Sequence, residues 1–408
     1  MSAKQHKWEC IIDDNDLKKR IESKVNEIKD AVLNHDSKEQ IGLLSGNSGL
    51  ALFLFYLDLF NKESKYGEVA ETLLYDAMER INEGYDYFPL SSGITGILWT
   101  LVHLNREAFI EADCDFEEIL PILEKQMLLH AEQGDFDYLH GAMGFYAYLL
   151  YNDPQERSEA ELHKLLELLD RKGIHEKGYI KWSNKINADD AALPAYGISL
   201  SHGISSTIIL LVRKMKKNSA DQLAYSLLKK SVSYLLSQKN DTAKKLLSVY
   251  PVFGEPTEEY LLESRLSWCY GDLGIAVALY EAGEVLNDLQ LQNEAIQVVQ
   301  HASYRRDLGR NRIADAAFCH GAVGVAHIFN RFYQKTRLTV FKDAAVYWYE
   351  QTLTMAHFKD GLAGYKSKSE ENWVISTGLL EGVAGIGLSL ISAISEVEPK
   401  WDHALLLS

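Results

Sequence analysis

A short glycine element recurs along this chain of 408 residues. Two glycines separated by two residues follow a polar residue and precede an apolar run, and one degenerate copy has Ser206 in place of the second glycine. The elements begin at Gly46, Gly93, Gly141, Gly203, Gly271, Gly321 and Gly382, at spacings of 47 to 68 residues. Because internal self-similarity indicates a repeat architecture, this feature limits the possible folds more than any other.

The spacing leaves room for two helices in each repeat. The runs that follow the elements, such as those from Leu50 and Ile97, are apolar on nearly every face, which is typical of buried helices, although a short apolar run also fits a buried strand. Between them lie stretches with one apolar stripe, which predict helices that are wet on one face. These stretches cover 16–32, 68–83, 117–130, 157–170, 220–238, 290–303 and 341–357.

The alternation predicts an all-α fold of seven inner and seven outer helices. An α/α toroid, in which the inner helices pack side by side around an axis, and an open solenoid of helix pairs both fit this pattern. The fully apolar inner set favours the closed toroid. We expect a single domain over residues 1–408.

The charge and the hydropathy pattern exclude several functional classes. The formal net charge of -16 would repel a phosphate backbone, so we expect no nucleic-acid partner. The first fifteen residues lack the apolar core of a secretory signal, and no run approaches the roughly 18 apolar residues of a membrane-spanning helix. We therefore expect a cytoplasmic enzyme, and peripheral association with the membrane is left open.

Equivalent positions of the repeats should point toward the same end of the fold. The residues directly before the first glycines are all polar: Ser45, Ser92, His140, His202, Tyr270, His320 and Glu381. One position earlier, the fifth and sixth repeats carry Cys269 and Cys319, two of only four cysteines. Cys10 and Cys114 have no comparable setting. Most of the glycines themselves are interpreted as packing features.

Cys269, Cys319 and His320 have the residue types and the number of a catalytic zinc site, which uses three protein ligands and keeps one position open. The alternative is a pair of buried thiols beside a core histidine. Two thiolates and one neutral imidazole suit the delivery of a third, substrate thiolate better than the activation of water. The chemistry expected is therefore attack of a sulfur nucleophile on a carbon electrophile.

Three motifs carry a resemblance to a known family. Trp268–Gly271 (WCYG), Cys319–Gly321 (CHG) and Ser201–Gly203 (SHG), together with the glycine repeats, resemble the lanthionine synthetase C-like family, the LanC cyclases of lanthipeptide biosynthesis. The resemblance covers nearly the whole chain. It implies an α/α toroid with one Zn²⁺, which adds peptide cysteine thiols to dehydroalanine or dehydrobutyrine and closes (methyl)lanthionine thioether rings.

By the same resemblance, Cys269, Cys319 and His320 are the expected zinc ligands, and His202 is the expected proton-transfer residue. The chemistry also calls for such a group, because the enolate formed by thiolate attack must be protonated and histidine titrates near neutral pH. Without the resemblance, His202 fits a polar cap at a helix end. Ser206 departs from the family glycine, which weakens only the packing argument for the fourth repeat.

Three further residues match family positions. Asp137 is expected to orient or tune His202, and Arg265 and Tyr270 are candidates to stabilise the enolate oxygen. Each also fits a solvated or ion-paired loop residue. His140 shares the position of His202 and is either a decoy or a supporting group. A last set, His103 and His327, lies within apolar helices and is expected to belong to the core.

The resemblance also implies partners. The substrate would be a dehydrated lanthipeptide precursor, and the short stretch before the first repeat favours a stand-alone cyclase that depends on a separate dehydratase and works beside an exporter. Two long intervals, 174–200 and 240–265, are either peptide-docking loops or surface insertions.

Two other functions remain compatible with the residues. A zinc enzyme of the prenyltransferase type would alkylate thiols with an allylic diphosphate, but it would need a basic pocket that the residues before the glycines do not supply. A non-catalytic toroid would use the zinc site to bind glutathione or a protein thiol. Cyclisation of a dehydrated precursor peptide distinguishes the cyclase interpretation from these two alternatives.

Overall fold

The structure of the chain is a computed structural model. It describes residues 7–35, 40–112, 116–152, 157–183, 196–370 and 372–408. Cys114 and part of the 174–200 interval lie outside the described residues.

The described residues form fourteen α-helices in two alternating sets. Each helix of the buried set starts directly after the first glycine of a repeat. The buried helices are α2 (Asn47–Asn61), α4 (Ile94–Arg106), α6 (Ala142–Tyr151), α8 (Ile204–Lys217), α10 (Asp272–Val285), α12 (Ala322–Thr336) and α14 (Val383–Ile394). The half-buried helices are α1 (Asn15–Leu33), α3 (Gly67–Asn82), α5 (Leu120–Glu132), α7 (Glu159–Lys172), α9 (Gln222–Ser237), α11 (Leu289–Ser303) and α13 (Thr339–Thr354).

The predicted hydrophobic patterns correspond to these helices. In α1 the buried side chains are those of the predicted stripe, from Leu17 to Val32, and the Asp14 carboxylate caps the helix by accepting the Leu17 N–H at 2.8 Å. In α14 every residue is buried. A helix that is apolar on every face, such as α14, is not stable alone in water. Each buried helix therefore depends on its neighbours.

Contacts divide the chain into two compact units. One comprises Met1–Tyr87, Ser91–Ala112 and Arg312–Ser408, and the other comprises Phe88–Leu90 and Asp113–Asn311. Within the first unit α12 packs on α14, α14 packs on α2, and α2 packs on α4, so the last buried helix contacts the first. Within the second, α6 packs on α8 and α8 packs on α10. The single-domain expectation stays a prediction.

Backbone hydrogen bonds join equivalent positions of successive repeats. Two residues before the first glycine, Cys319 N donates to Leu380 O, Leu380 N to Leu44 O, and Leu44 N to Ser91 O, each at 2.9 Å. In the second unit Ser201 N donates to Cys269 O at 3.4 Å in the same direction. These bonds therefore fix the turns of the sixth, seventh, first and second repeats to one another, and the turn of the fourth repeat to that of the fifth.

The second glycine of a repeat allows this turn to lie against the helix. At Gly324 an added Cβ would lie 1.9 Å from the carbonyl oxygen of Phe318, a backbone atom that cannot move aside. A side chain there would push the turn that carries Cys319 and His320 away from α12. The second glycine is thus sterically required for this turn to pack against its helix.

Two β-hairpins interrupt the helices and were not predicted. The antiparallel pairs are β1 (Ile174–Glu176) with β2 (Tyr179–Lys181), and β3 (Ser367–Ser369) with β4 (Asn372–Val374). Their strands are too short for the alternation of side chains to be recognised in sequence. The described part of 174–200 is therefore in part a hairpin that packs on α9.

A buried ionic cluster fastens the C-terminal 3₁₀ helix, Lys400–Leu405, to α12. The Asp402 carboxylate accepts hydrogen bonds from His327 Nε2 at 2.8 Å and from Arg331 Nε at 2.6 Å, and Arg331 Nη2 donates to Pro399 O at 3.0 Å. Burial opposes the charge of Asp402, but the Arg331 guanidinium and the His327 hydrogen bond hold its pKa below the usual range.

The two histidines expected in the core are both fully buried, which confirms that prediction. His103 Nε2 lies 3.0 Å from the Tyr56 hydroxyl, and its ring stacks on Trp99. Burial lowers the pKa of His103 to about 3, so this imidazole is neutral at physiological pH.

None of the helices in the described ranges combines the length and the apolar composition required to cross a lipid bilayer.

We predict that Asp402→Ala destabilises the fold by about 3–5 kcal/mol, because it leaves the buried Arg331 guanidinium without its carboxylate. Glu398→Ala is the matched control, since Glu398 is half exposed and lies 3.6 Å from the same guanidinium. That change should cost less than about 1 kcal/mol. Urea unfolding followed by circular dichroism measures both, and equal losses for the two variants would contradict this account of the cluster.

Candidate active site and metal cluster

The turn before α12 carries a cluster of metal-ligand types. Cys319 Sγ, a ring nitrogen of His320 and a carboxylate oxygen of Glu381 all lie within 4.8 Å of one another. The first two side chains are half-buried and Glu381 is exposed. His320 and Glu381 hold the same position in adjacent repeats, so the packing of α12 on α14 brings them together.

The buried carboxylate of Asp315 contacts the His320 side chain of this cluster. Its Oδ2 lies 3.4 Å from His320 Nε2 and accepts the Lys368 N–H at 2.7 Å, while its Oδ1 accepts the Ala317 N–H at 3.0 Å. Burial raises the pKa of Asp315, but the hydrogen bonds from His320 and from the two backbone N–H groups outweigh it and hold the pKa below its usual value. The carboxylate is therefore ionised and fixed beside the imidazole.

These residues fit a zinc ion by their chemistry. A thiol and an imidazole are the preferred zinc ligands, and a carboxylate that accepts the other ring N–H of a ligating histidine is the usual supporting group. Asp315 and His320 have that relationship. The described residues thus provide two suitable donors on one turn, with a third, carboxylate donor close by.

Cys269 belongs to the other unit, on the turn before α10. Its side chain is buried, and its Sγ lies 3.5 Å from Ser267 Oγ. Its carbonyl oxygen accepts the Leu200 N–H at 3.2 Å, which ties this turn to the one that carries His202. Cys10, Cys269 and Cys319 form no disulfide within the described residues. That Cys269 joins Cys319 and His320 as a ligand stays a prediction.

His202 forms an ion pair with Asp137 in this second unit. His202 Nδ1 lies 2.7 Å from Asp137 Oδ2, and the carboxylate is buried while the imidazole is about one-fifth exposed. The contact places Asp137 where it could orient the imidazole, and that role stays a prediction. Their roles in a reaction are not decided by the contact.

The other oxygen of Asp137 has a purely structural partner. Asp137 Oδ1 accepts the His140 N–H at 2.7 Å, a bond across three residues of the turn. Ser199 and Ser267 stand at the same repeat position, and their hydroxyls accept the backbone N–H groups of His202 at 3.0 Å and Tyr270 at 3.2 Å. Asp137 therefore caps its turn as the serines do and has one oxygen left for His202.

Opposing influences act on the two histidines beside this carboxylate. Burial lowers the pKa of His202, but the hydrogen bond and the charge of Asp137, with a smaller contribution from Cys269, raise it above its ordinary value. Burial lowers the pKa of His140, whose ring stacks on that of His202 with centroids 6.0 Å apart. The pKa values of these two adjacent imidazoles are thus shifted in opposite directions from the ordinary value.

Tyr270 and Arg265 differ in how closely they approach this pair. The Tyr270 ring lies 6.1 Å from the His202 ring and packs on Phe253 at 5.8 Å, which holds it beside the imidazole. Arg265 is half-buried at the start of the same turn, and no ion pair of its guanidinium is found among the described residues. The contacts therefore place Tyr270 beside His202, whereas they show no such proximity for Arg265.

A cleft of about 30 Å³ lies beside His202, enough for a single water molecule. Asp137, Phe136, Trp182 and Tyr234 contribute to its lining. Most of these groups come from the turn of the third repeat and from the hairpin region after α7. The side of His202 that faces this cleft is therefore narrow and partly aromatic.

The sequence of the chain matches the family described as lanthionine synthetase C-like protein over residues 37–406. This is more than half of the chain. The chain belongs to the lanthionine synthetase C-like family. The predicted family resemblance is confirmed.

This LanC-like protein is similar to proteins of nisin biosynthesis. It is 22% identical over 428 residues to the nisin biosynthesis protein NisC of Lactococcus lactis subsp. lactis, with 97% of each chain covered. Its structure is similar to that of nisin cyclase, with a TM-score of 0.68, 20% sequence identity and coverage of 97% of this chain and 98% of that chain. This likeness confirms the predicted all-α fold of the α/α-toroid class.

Sequence reasoning missed three carboxylates of the LanC-like protein. Glu381 was noted only as a polar repeat position, and Asp315 and Asp135 were not considered. Asp315 and Asp135 both lie six residues before a first glycine, and each contacts a histidine, since Asp135 Oδ2 lies 2.8 Å from His130 Nδ1. Comparing this position across the repeats would have identified both.

We predict that Asp137→Ser lowers the pKa of His202 to below its ordinary value of 6.5, because burial then acts without the opposing carboxylate. Serine caps the equivalent turns of the fourth and fifth repeats, so the turn should keep its conformation. Titration of the histidine ring signals by NMR measures the shift. An unchanged pKa in a folded variant would show that Asp137 does not control His202.

Proposed function

We propose that this LanC-like protein is a zinc-dependent lanthipeptide cyclase. It would add cysteine thiols of a dehydrated precursor peptide to dehydroalanine or dehydrobutyrine and form (methyl)lanthionine rings. The observation that carries the proposal is the donor cluster of Cys319 and His320, on the turn equivalent to the one that carries Cys269. Membership of the family and the likeness to nisin cyclase support the same activity.

Cys269, Cys319 and His320 would hold the zinc ion, and the Asp315 carboxylate would keep the His320 ring in its ligating orientation. Zinc, when bound, would stabilise the thiolate form of a peptide cysteine at neutral pH. Glu381, which is exposed beside the cluster, would contact the incoming peptide or shield the site from anionic ligands. These roles rest on residue chemistry and on the contacts described above.

The reaction is an addition without a leaving group. The thiol gives up its proton, its sulfur forms the C–S bond to the β-carbon, and the π electrons of the double bond move toward the carbonyl to give an enolate. The α-carbon of the enolate then takes one proton. Because no atoms are lost, the cyclised peptide has the mass of its linear precursor.

His202 would supply that proton from Nε2, since Nδ1 is held by Asp137. The raised pKa favours the protonated imidazole, which is the form that a proton donor needs. Tyr270, packed beside His202, would donate a hydrogen bond to the enolate oxygen, and Arg265 would contribute positive charge nearby. The precursor peptide is then the expected partner, supplied by a separate dehydratase.

We predict that zinc content and cyclisation are lost together in Cys319→Ala and in Cys269→Ala. Elemental analysis counts the zinc, and alkylation of the remaining thiols followed by mass spectrometry counts the rings formed from a dehydrated precursor. Cys10→Ala is the control, because Cys10 lies on the N-terminal segment, where its Sγ contacts Ile12 O. Zinc bound by wild type without any loss of peptide thiol would favour a non-catalytic thiol-binding protein and reject the cyclase.

We predict that His202→Gln keeps its zinc and slows cyclisation by about 10²–10⁴-fold, because glutamine preserves a polar side chain but cannot deliver a proton. Quenched time courses with alkylation of free thiols give the rate. A variant that cyclises at the wild-type rate would exclude His202 as the proton donor while leaving the zinc proposal intact.

A further inference from the structure

The β3–β4 hairpin is fastened to the donor cluster along one side. The Lys368 N–H on β3 donates to Asp315, the carboxylate behind His320, at 2.7 Å. The Ser367 hydroxyl on the same strand donates to the carbonyl oxygen of Glu381. Both bonds fix β3 against the turns that carry the cluster, so the position of the hairpin relative to Cys319 and His320 is set.

The same bond shows which edge of the hairpin is open. In the antiparallel register Lys368 pairs with Trp373, while Ser367 pairs with Val374. Because the Lys368 N–H points toward Asp315, it points away from β4, and Lys368–Trp373 is a non-hydrogen-bonded pair. The backbone N–H and C=O of Trp373 therefore face the outer edge of β4, and no partner for them is found among the described residues.

The side chains along this edge are apolar and exposed. Trp373, Val374 and Ile375 are exposed by 37%, 38% and 46%. The Trp373 ring packs on Phe358 with centroids 4.7 Å apart, and the Lys368 ammonium lies 5.5 Å from its centre. β4 ends at Val374, and Ile375 follows it directly as a further exposed apolar residue.

An open apolar strand edge is a feature that proteins normally avoid. Edge strands are usually protected by lysine, proline or a covering segment, because unpaired backbone groups invite other strands. The sequence from Asn372 to Ile375 contains neither lysine nor proline. Such an edge is suited to recognition by strand addition, in which a peptide pairs with the backbone and its alternate side chains contact the surface.

We propose that the outer edge of β4 binds the precursor peptide as an added strand and guides it to the Cys319–His320 cluster. This choice of occupant rests on the proposed function. A peptide that is to be closed into rings must arrive extended, with its backbone groups available for pairing. Beyond Ile375 the chain reaches Glu381, in the donor cluster, within six residues, so a strand on this edge has a short path to the site.

The geometry also defines the chemistry of the peptide. Residues that place their side chains beside the Trp373 ring would be apolar, and the Lys368 ammonium would accommodate an acidic neighbour. Residues of the opposite face would be unrestricted. The recognised substrate is thus an extended segment with alternate apolar residues ahead of its cysteine.

The test uses a linear synthetic peptide, Ser-Ile-Thr-Val-Ser-Val-Thr-Cys, which has no dehydrated residue, so that binding is observed without reaction. Amide hydrogen exchange of the zinc-loaded protein is measured with and without saturating peptide. We expect exchange of the Trp373 amide to slow by about tenfold or more. The Val374 amide, already paired with Ser367, should change little.

Two results would overturn the proposal. One is binding of the peptide without protection of the Trp373 amide. The other is protection of that amide without peptide as the protein concentration rises, which would assign the edge to a second copy of the chain.

Substitution of the edge separates docking from catalysis. The double variant Trp373→Ser/Ile375→Ser should keep its zinc and its kcat with a dehydrated precursor and raise KM by about tenfold. Tyr75→Ser, which alters a more exposed aromatic residue on α3 (70%), is the control and should leave KM unchanged. A wild-type KM in the double variant contradicts docking at β4. If wild type cyclises no precursor but the Trp373 amide is still protected by the peptide, the cyclase proposal fails and the docking edge stands.

Discussion

The backbone hydrogen bonds between equivalent turns are the interaction on which the site depends. In the first unit they run from Cys319 to Leu380, from Leu380 to Leu44 and from Leu44 to Ser91, always from the N–H of one repeat to the carbonyl of the next. The buried helices can slide along one another only if these bonds break. They hold the residues beside each turn at a common level, and a side chain placed at one position therefore meets its counterpart from the neighbouring repeat. His320 and Glu381 meet in this way. His202 and Tyr270, whose turns are joined by the bond from Ser201 to Cys269, likewise lie with ring centroids 6.1 Å apart.

The structure turns a repeated structural position into a functional one by small changes of side chain. Ser199 caps its turn and Ser267 caps its turn and contacts Cys269 Sγ, whereas aspartate at position 137 caps its turn and also binds His202. Asp315 similarly accepts backbone N–H groups with both oxygens while one of them lies beside His320. Backbone N–H groups thus fix the position of each carboxylate that contacts a histidine. Because the backbone bonds are short and buried, the orientation of the histidine costs little additional ordering of side chains.

Much of the fold could be predicted because the glycine spacing and the two hydrophobic patterns are strong, local signals. The buried stripe of α1 and the ligand-type residues at the helix starts were visible for the same reason. The contacts that support the site were not, since they join residues far apart in sequence: Asp137 reaches His202 from the preceding repeat, and Lys368 reaches Asp315 from a hairpin of three-residue strands. Short strands carry too few residues for a period to be recognised. The membership of Cys269 in a metal site and the roles of Arg265 and Tyr270 remain predictions, because residue type alone does not define coordination or contact with a substrate.

One hydrogen bond links the orientation of His320 to the open edge of the hairpin. The Lys368 N–H can serve Asp315 or a strand pairing with the outer side of β3, but not both, so the bond to Asp315 closes that side. The antiparallel register then leaves the backbone groups of Trp373 on the opposite edge. Disturbing Asp315 would therefore remove one of the two bonds that fix β3 as well as the support of the imidazole. The same contact that fixes a metal-ligand residue also decides which strand of the hairpin is available to a peptide.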